Sequence, residues 1–367
     1  AMATMLRDDW ANPSSVHRAG QNVRHRIDLA REAVGDLVGC RDRELVFTSG
    51  GTEAINLAIR GSLTVAPERR LVVSSRLEHS AVRGTLDRLV ERGEIKVHWI
   101  GADLAGRLDL DELDDVLDAH AEEIALVTLL WANNETGVVQ PIERIGAACH
   151  ARGVRFHVDA VQCVGKRPVT VRDLPIDLMS ISAHKLHGPK GVGALYLRRG
   201  VRVEPLITGG PQERERRGGT ENAPGIVGFG VAATEAKAWL ATSDVDRVGP
   251  LRDEFERRIV EALPDTSVNG GDAERLWNTT NLGFPRLEAE AILLSLSERG
   301  VSASAGAACS SGSLDPSPVL LAMGIDPRVA HGSIRFSLSR ETTHADIDGA
   351  VPLVIDVVSR LKALRPP

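Results

Sequence analysis

Aromatic residues are scarce in this chain: one tyrosine, six phenylalanines and five tryptophans, 3% of 367 residues. Base-stacking platforms need more rings than that, and a net charge of −6 gives no basic field for nucleic acid or an anionic membrane. Cysteines are fewer still, at positions 40, 149, 163 and 309. None forms a Cys-x-x-Cys pair, so neither a zinc site nor a thioredoxin-type motif is indicated. Four cysteines in so long a chain are not a secreted disulfide scaffold. No apolar run reaches the roughly 18 residues of a membrane span, and no basic stretch followed by an apolar one marks a signal peptide. The expectation is a protein of the reducing cytoplasm with no membrane or nucleic-acid partner.

What is present is ordinary in amount: 43% hydrophobic and 26% charged residues, in a chain long enough for one large and one small domain. Short β-branched runs alternate with helical patterns. Leu45 to Phe47 reads as a strand, Thr48 to Thr52 as a turn and Glu53 to Arg60 as a helix. Further strands are expected at Leu71 to Ser74, Ala125 to Leu130, Arg155 to Val158, Leu178 to Ser182 and Val192 to Leu197. This alternation predicts a mostly parallel sheet with helices on both faces, whose ligands sit beyond the carboxyl ends of the strands. From about residue 225 long helices dominate, followed by an apolar run at Thr280 to Phe284, a helix at Glu288 to Arg299, a Ser/Ala/Gly-rich loop, a strand at Ser333 to Ser339 and a last helix. That pattern predicts a smaller α+β domain. The charged run Glu213 to Arg217 reads as a solvated loop or as an interface.

Polar residues gather at the predicted strand ends. Thr48-Ser49-Gly50-Gly51-Thr52 lies between strand and helix, where free N–H groups make an anion site, although alone it reads first as a connecting glycine turn. Asp159 ends a strand, as a helix cap also would. Lys185, in Ser182-Ala183-His184-Lys185, follows an apolar strand and precedes the stiff turn Gly188-Pro189-Lys190-Gly191. Such a place suits a desolvated lysine with the lowered proton affinity that carbonyl chemistry needs. A lysine and an aspartate at neighbouring strand ends point to pyridoxal phosphate (PLP), with the aspartate keeping the pyridine nitrogen protonated. Ser182 and Thr52 would then hold the phosphate. Cys40, Cys149 and Cys163 read as small hydrophobes. Cys309 differs, because Ala305-Gly306-Ala307-Ala308-Cys309-Ser310-Ser311-Gly312 has no large apolar side chain to anchor it, and an exposed thiol is expected there.

In these stretches, with Asn12 to His17, Glu78-His79, Asn133-Asn134-Glu135-Thr136-Gly137, Arg217 to Gly228 and Ser333 to Ser339, the chain resembles the cysteine desulfurases among the fold-type I PLP enzymes. The matches run in family order along essentially the whole chain. The resemblance implies an α/β fold with a seven-stranded, mostly parallel sheet in a large PLP-binding domain, 15–245. It also implies a smaller α+β domain, 246–367 with 1–14, that carries the Cys309 loop. It implies that Lys185 links PLP, Asp159 pairs with the ring nitrogen, and His79 stacks on the ring and shuttles protons. Gln162 and Asn134 would contact the ring hydroxyl, and Gly51, Thr52, Ser182 and His184 the phosphate. Thr220 would reach the phosphate of a neighbouring subunit, which makes the expected assembly a homodimer with shared sites. Arg335, with Asn134 and Asn12, would bind substrate, and Cys309 would carry a persulfide.

The implied reaction takes L-cysteine to L-alanine and passes sulfur through Cys309 to an acceptor protein, an iron–sulfur scaffold or a tRNA-thiolation enzyme. A selenocysteine lyase, another aminotransferase-like PLP enzyme and a non-enzymatic sulfur-transfer scaffold are the competing readings. The segment Ala1 to Met5 resembles the middle of the family's first helix. The family's opening strand and turn precede that point, and without them one wall of the site would be incomplete.

Overall fold

The computed structural model describes residues 1–306 and 315–364. In chain order the elements are α1 (Met2–Asp8), α2 (Arg18–Val38), β1 (Leu45–Thr48), α3 (Gly51–Val65), β2 (Leu71–Ser75), α4 (Ser80–Glu91), β3 (Lys96–Ile100), α5 (Leu110–His120), β4 (Ile124–Leu130), α6 (Ile142–Ala151), β5 (Phe156–Asp159), β6 (Leu178–Ser182) and β7 (Gly193–Leu197). They continue as α7 (Gln212–Glu215), α8 (Ala223–Leu240), α9 (Val245–Ala262), β8 (Ser267–Val268), β9 (Thr279–Gly283), α10 (Ala289–Ser297), α11 (Pro318–Ala322), α12 (Pro327–Ala330), β10 (Ser333–Ser337) and α13 (His344–Ala363).

Seven strands form one sheet in the order β1-β7-β6-β5-β4-β2-β3, and β7 alone runs against the rest. The central strands β4, β5, β6 and β7 are buried along their whole length, because helices cover both faces. Alternation along a strand divides the side chains between two cores. Leu45 and Phe47 of β1 and Tyr196 of β7 face the cluster under α2, α6 and α8, whereas Val46, Leu195 and Leu197 face the cluster under α3 and α4. The edge strand β3 was not anticipated, since Lys96 is exposed, His98 and Trp99 are only partly buried, and together they break the apolar signature.

The second sheet is the antiparallel β10-β9-β8. Its core joins Leu251, Phe255 and Ile259 of α9 to Leu282, Phe336 and, from α13, Val354. Residues far along the chain also enter the first core, among them Val319, Leu320 and Met323. Met5, from the segment 1–14, lies in that first core as well, and α1 packs on α8.

The run Glu213 to Arg217 is not a simple solvated loop, although Arg214 and Glu215 are exposed. Glu213, Arg214 and Glu215 all adopt left-handed backbone angles (φ 48°, 59° and 65°). The reason is Glu213, which is buried and takes two parallel hydrogen bonds from Arg31 (2.8 and 2.5 Å) and one from Phe47 N (2.9 Å). Three charge-assisted bonds offset the backbone strain.

Candidate active site

The carboxyl ends of β1, β2, β4, β5 and β6 meet on one rim of the first sheet. After β1 the chain turns through Gly50, whose φ of 155° and ψ of −178° are open essentially to glycine alone. Among the described residues no side chain caps α3, so its first N–H groups are available to an anion. Neighbouring strand ends crowd this turn. A Cβ on Gly51 would lie 2.9 Å from Val161 Cγ2, and one on Gly193 would lie 2.7 Å from Gly50 C. Thr52 is exposed on the first turn of α3. Ser182, buried at the end of β6, shares a 2.8 Å hydrogen bond between its Oγ and His184 Nδ1.

Asp159 closes β5 and is buried; its Oδ1 accepts a hydrogen bond from Val161 N at 3.0 Å. Burial pushes its carboxyl up to about 6, against the pull of the Val161 N–H and of Lys185. Lys185 sits in the short turn Ala183–Leu186 directly after β6, half-buried. An uncapped helix start packed through glycines, a lysine, and a buried carboxylate short of positive charge suit a phosphorylated, ring-protonated aldehyde such as PLP.

Glu78 and His79 follow β2. Glu78 is fully buried, with Oε1 accepting from Leu130 N (2.6 Å) and Oε2 without a hydrogen-bond partner among the described residues. Burial, and then the charge of Asp159, drive its carboxyl well above the usual carboxylate range. His79 caps α4, its Nδ1 accepting from Ala81 N at 3.1 Å. Burial, followed by Lys185 and Arg83, lowers its proton affinity. The neutral ring therefore carries its hydrogen on Nε2, and a proton taken up by His79 must enter at Nδ1 and displace the cap. The expected proton shuttle is in this respect a hydrogen-bond donor first.

A cavity of about 250 Å³ opens beside Lys185, lined by Asn134, Gln162, Lys166, His184 and Arg335. Arg335 reaches it from β10, and its Nη1 donates to Asn134 O at 2.8 Å. Its backbone exchanges two hydrogen bonds with Ser304. Beside it Glu135, almost wholly buried, accepts from Ser317 Oγ at 2.5 Å. A Cβ on Gly306 would lie 2.6 Å from Glu135 Oε2, so the same carboxylate abuts the chain at both 306 and 317.

Asn134, Gln162, His184, Lys185 and Arg335 are thus brought to one cavity, with Asp159, Ser182, His79 and the α3 start on the same rim. Asn12 and Thr220 do not line that cavity. Asn12 is exposed, with Oδ1 accepting from Ser14 N. Thr220, also exposed, lines a separate cavity with Ser49, Gly191 and Arg217. Cys309 lies outside the described residues. The other three cysteines are buried, and burial pushes each thiol up to about 12, which removes them from thiolate chemistry. Sequence reasoning gave no role to Glu78, Glu135 or Lys166. The first two stood inside recognised stretches, so their position was a usable signal; Lys166 offered none.

Comparison with known proteins agrees along the whole length. Residues 1–349 match the aminotransferase class-V family. The cysteine desulfurase of a Nostoc species is 49% identical over 366 residues, covering 100% of this chain and 90% of the relative. Cysteine desulfurase NifS of Azotobacter vinelandii is 44% identical over 367 residues, with the same coverage. Among solved structures, a NifS-like protein superposes with a TM-score of 0.90 at 34% identity, covering 98% of this chain and 94% of that one. A structure titled SspA in complex with cysteine superposes at 0.80 and 34%, covering 93% and 94%. With agreement this extensive in sequence and fold, the chain belongs to the PLP-dependent class-V aminotransferase family, among its NifS-like cysteine desulfurases.

Proposed function

We propose that the chain converts L-cysteine to L-alanine and carries the released sulfur on Cys309. The observation that carries this reading is the rim itself: a lysine, a buried carboxylate and an anion-ready helix start, in a chain 44–49% identical to cysteine desulfurases over its full length. Residues 15–245 serve as the cofactor-binding domain and 246–367, with 1–14, as the smaller one.

The α3 start, Thr52, Ser182 and His184 hold the phosphate of PLP, Asp159 its ring nitrogen, and Gln162 and Asn134 its ring oxygen. PLP, when bound, supplies an electron sink for charge developed at the amino acid's α-carbon. Arg335 binds the substrate carboxylate with its planar fork, giving up its bond to Asn134 O. Lys185 takes the α-proton and returns it. His79 presents its Nε2–H to the site while α4 keeps its cap. The Cys309 thiolate attacks the substrate sulfur: an S–S bond forms and the C–S bond breaks. The electron pair of the broken bond stays on carbon, which protonates to give alanine. The persulfide sulfur then passes to a thiol of an acceptor protein. Reducing cytoplasm suits this, because it keeps Cys309 a thiol. We also propose a homodimer in which Thr220 of each copy serves the phosphate site of the other; its exposure, away from the Lys185 cavity, supports this.

The test is release of alanine and sulfide from L-cysteine with PLP and a reductant, for wild type beside Cys309→Ala. Alanine from wild type alone is expected. Equal turnover by the variant removes Cys309 from the reaction. Dependence on an added keto acid makes the protein an aminotransferase.

A further inference from the structure

The turn after β5 carries a second lysine that this chemistry leaves unused. Gly165 (φ 80°) lets that turn press on the one bearing Lys185, since a Cβ at Gly165 would lie 2.6 Å from Leu186 Cβ. Lys166 follows and is buried. Trp277 Nε1 donates to its carbonyl (2.7 Å) and packs on Trp239 at 5.1 Å, which fixes the backbone. The ammonium donates twice to one residue, to Gln162 O and to Gln162 Oε1, both at 2.9 Å. Lys166 and Gln162 line the same cavity as Lys185 and Arg335.

Two consequences follow from this arrangement. The ammonium fixes which end of the Gln162 carboxamide is the oxygen, so the two Nε2–H groups are the donors it can offer the cavity. An amide whose oxygen binds a cation is also the stronger donor at nitrogen, since hydrogen bonds in a chain polarise one another. Meanwhile Lys166 is a buried cation short of counter-charge. The groups facing it are Cys163 on its own turn, Lys185, His184 and His187 on the turn after β6, and Arg335 on β10. Arg340, just past β10, lines the same cavity, and among the described residues none of these groups is a carboxylate. Burial, reinforced by Lys185 and Arg335 and opposed by Cys163, lowers its proton affinity to about 8. Such a charge is costly unless something in the site balances it.

We propose that Lys166 is a positioning residue for the cofactor, acting through Gln162. It fixes and polarises the carboxamide so that Nε2 donates to the anionic ring oxygen of PLP, and that oxygen supplies the counter-charge Lys166 lacks. The proposal rests on the PLP reading of the site.

The test measures PLP retention by the holoenzyme in equilibrium dialysis against graded PLP from pH 7 to 10, with the visible absorbance as readout. At pH 7, Lys166→Met is expected to bind PLP about tenfold more weakly than wild type, one pKa unit's worth of coupling. The gap should begin to shrink above about pH 8, where Lys166 of the PLP-free protein loses its charge, and be nearly gone by about pH 10, because the same tenfold coupling makes Lys166 hold its proton about one unit higher when PLP is bound. Lys166→Arg, which stays charged, should hold the tight affinity across the range. In a Gln162→Met background the Lys166→Met change should cost little more, which keeps the test alive if one single variant folds poorly. An affinity within twofold of wild type at pH 7, a gap that ignores pH, or full additivity with Gln162→Met would overturn the proposal. Wild-type protein that retains no PLP and shows no visible band would instead overturn the cofactor reading beneath it.

Discussion

Two buried charged regions of this molecule are built on opposite plans. Under β1, Arg31 and Glu213 saturate each other, and Glu213 takes the Phe47 N–H as well. On the rim of the same sheet, among the described residues, Glu78 has an oxygen with no partner, Asp159 has one backbone donor and Lys166 faces no carboxylate. The first region is complete within the chain and serves the fold. The second is left electrically incomplete, and a charged ligand completes it. Buried charge therefore locates function here only when the chain itself fails to balance it.

Changing one residue in each region separates the two plans. The largest effect is expected on the rim: Lys185→Ala should abolish the visible absorbance of bound PLP and cut alanine formation by at least about a thousandfold, with little change in the melting temperature. An unchanged spectrum would remove Lys185 from cofactor binding. Glu213→Ala should do the reverse. It leaves Arg31 buried and unpaired, which costs about 3–5 kcal/mol in urea unfolding, while the PLP spectrum of the folded protein stays as it was. A loss of under about 1 kcal/mol would show that the pair is not the anchor described here.

Asp159 tests the comparison through pH. Its carboxyl, raised from 3.8 to about 6 by burial, favours the folded state below about pH 4, and that contribution is lost as the pH rises through about 6. In PLP-free protein, Asp159→Asn should therefore be more stable than wild type at pH 7, by about 3 kcal/mol, and level with it near pH 4. The same variant should bind PLP more weakly. Equal stability of variant and wild type at both pH values would show that Asp159 is balanced without a ligand. The smallest effect is expected at Ser317, which caps α11 and donates to Glu135. Ser317→Ala should cost about 1–2 kcal/mol. Because Glu135 also abuts Gly306, it should slow sulfur transfer to Cys309, followed by alkylation of the free thiol, more than it weakens cysteine binding.

Much of this was legible in the chain. The strands Leu45–Thr48, Ile124–Leu130 and Leu178–Ser182 announced themselves as apolar runs, because a strand covered on both faces has no polar side to blur the signal. The edge strand Lys96–Ile100 did not, because partial exposure lets it carry lysine and histidine. Lys185 and Asp159 were visible because each ends such a run, and local pattern fixes which residue ends a strand. The buried role of Glu213 was invisible, since a glutamate among arginines looks solvated until its partner on α2 is known.

By itself, then, the sequence determined the layered α/β class, the strand ends and the chemical types placed there, since all of these depend on periodicity over a few residues. Only the tertiary structure decided which of those groups meet. Arg335 reaches Asn134 across 201 positions, Ser317 reaches Glu135 across 182, and Gly165 brings Lys166 beside Lys185. Such contacts are set by how whole elements pack, and the packing also determines which buried charges are left for a ligand to balance.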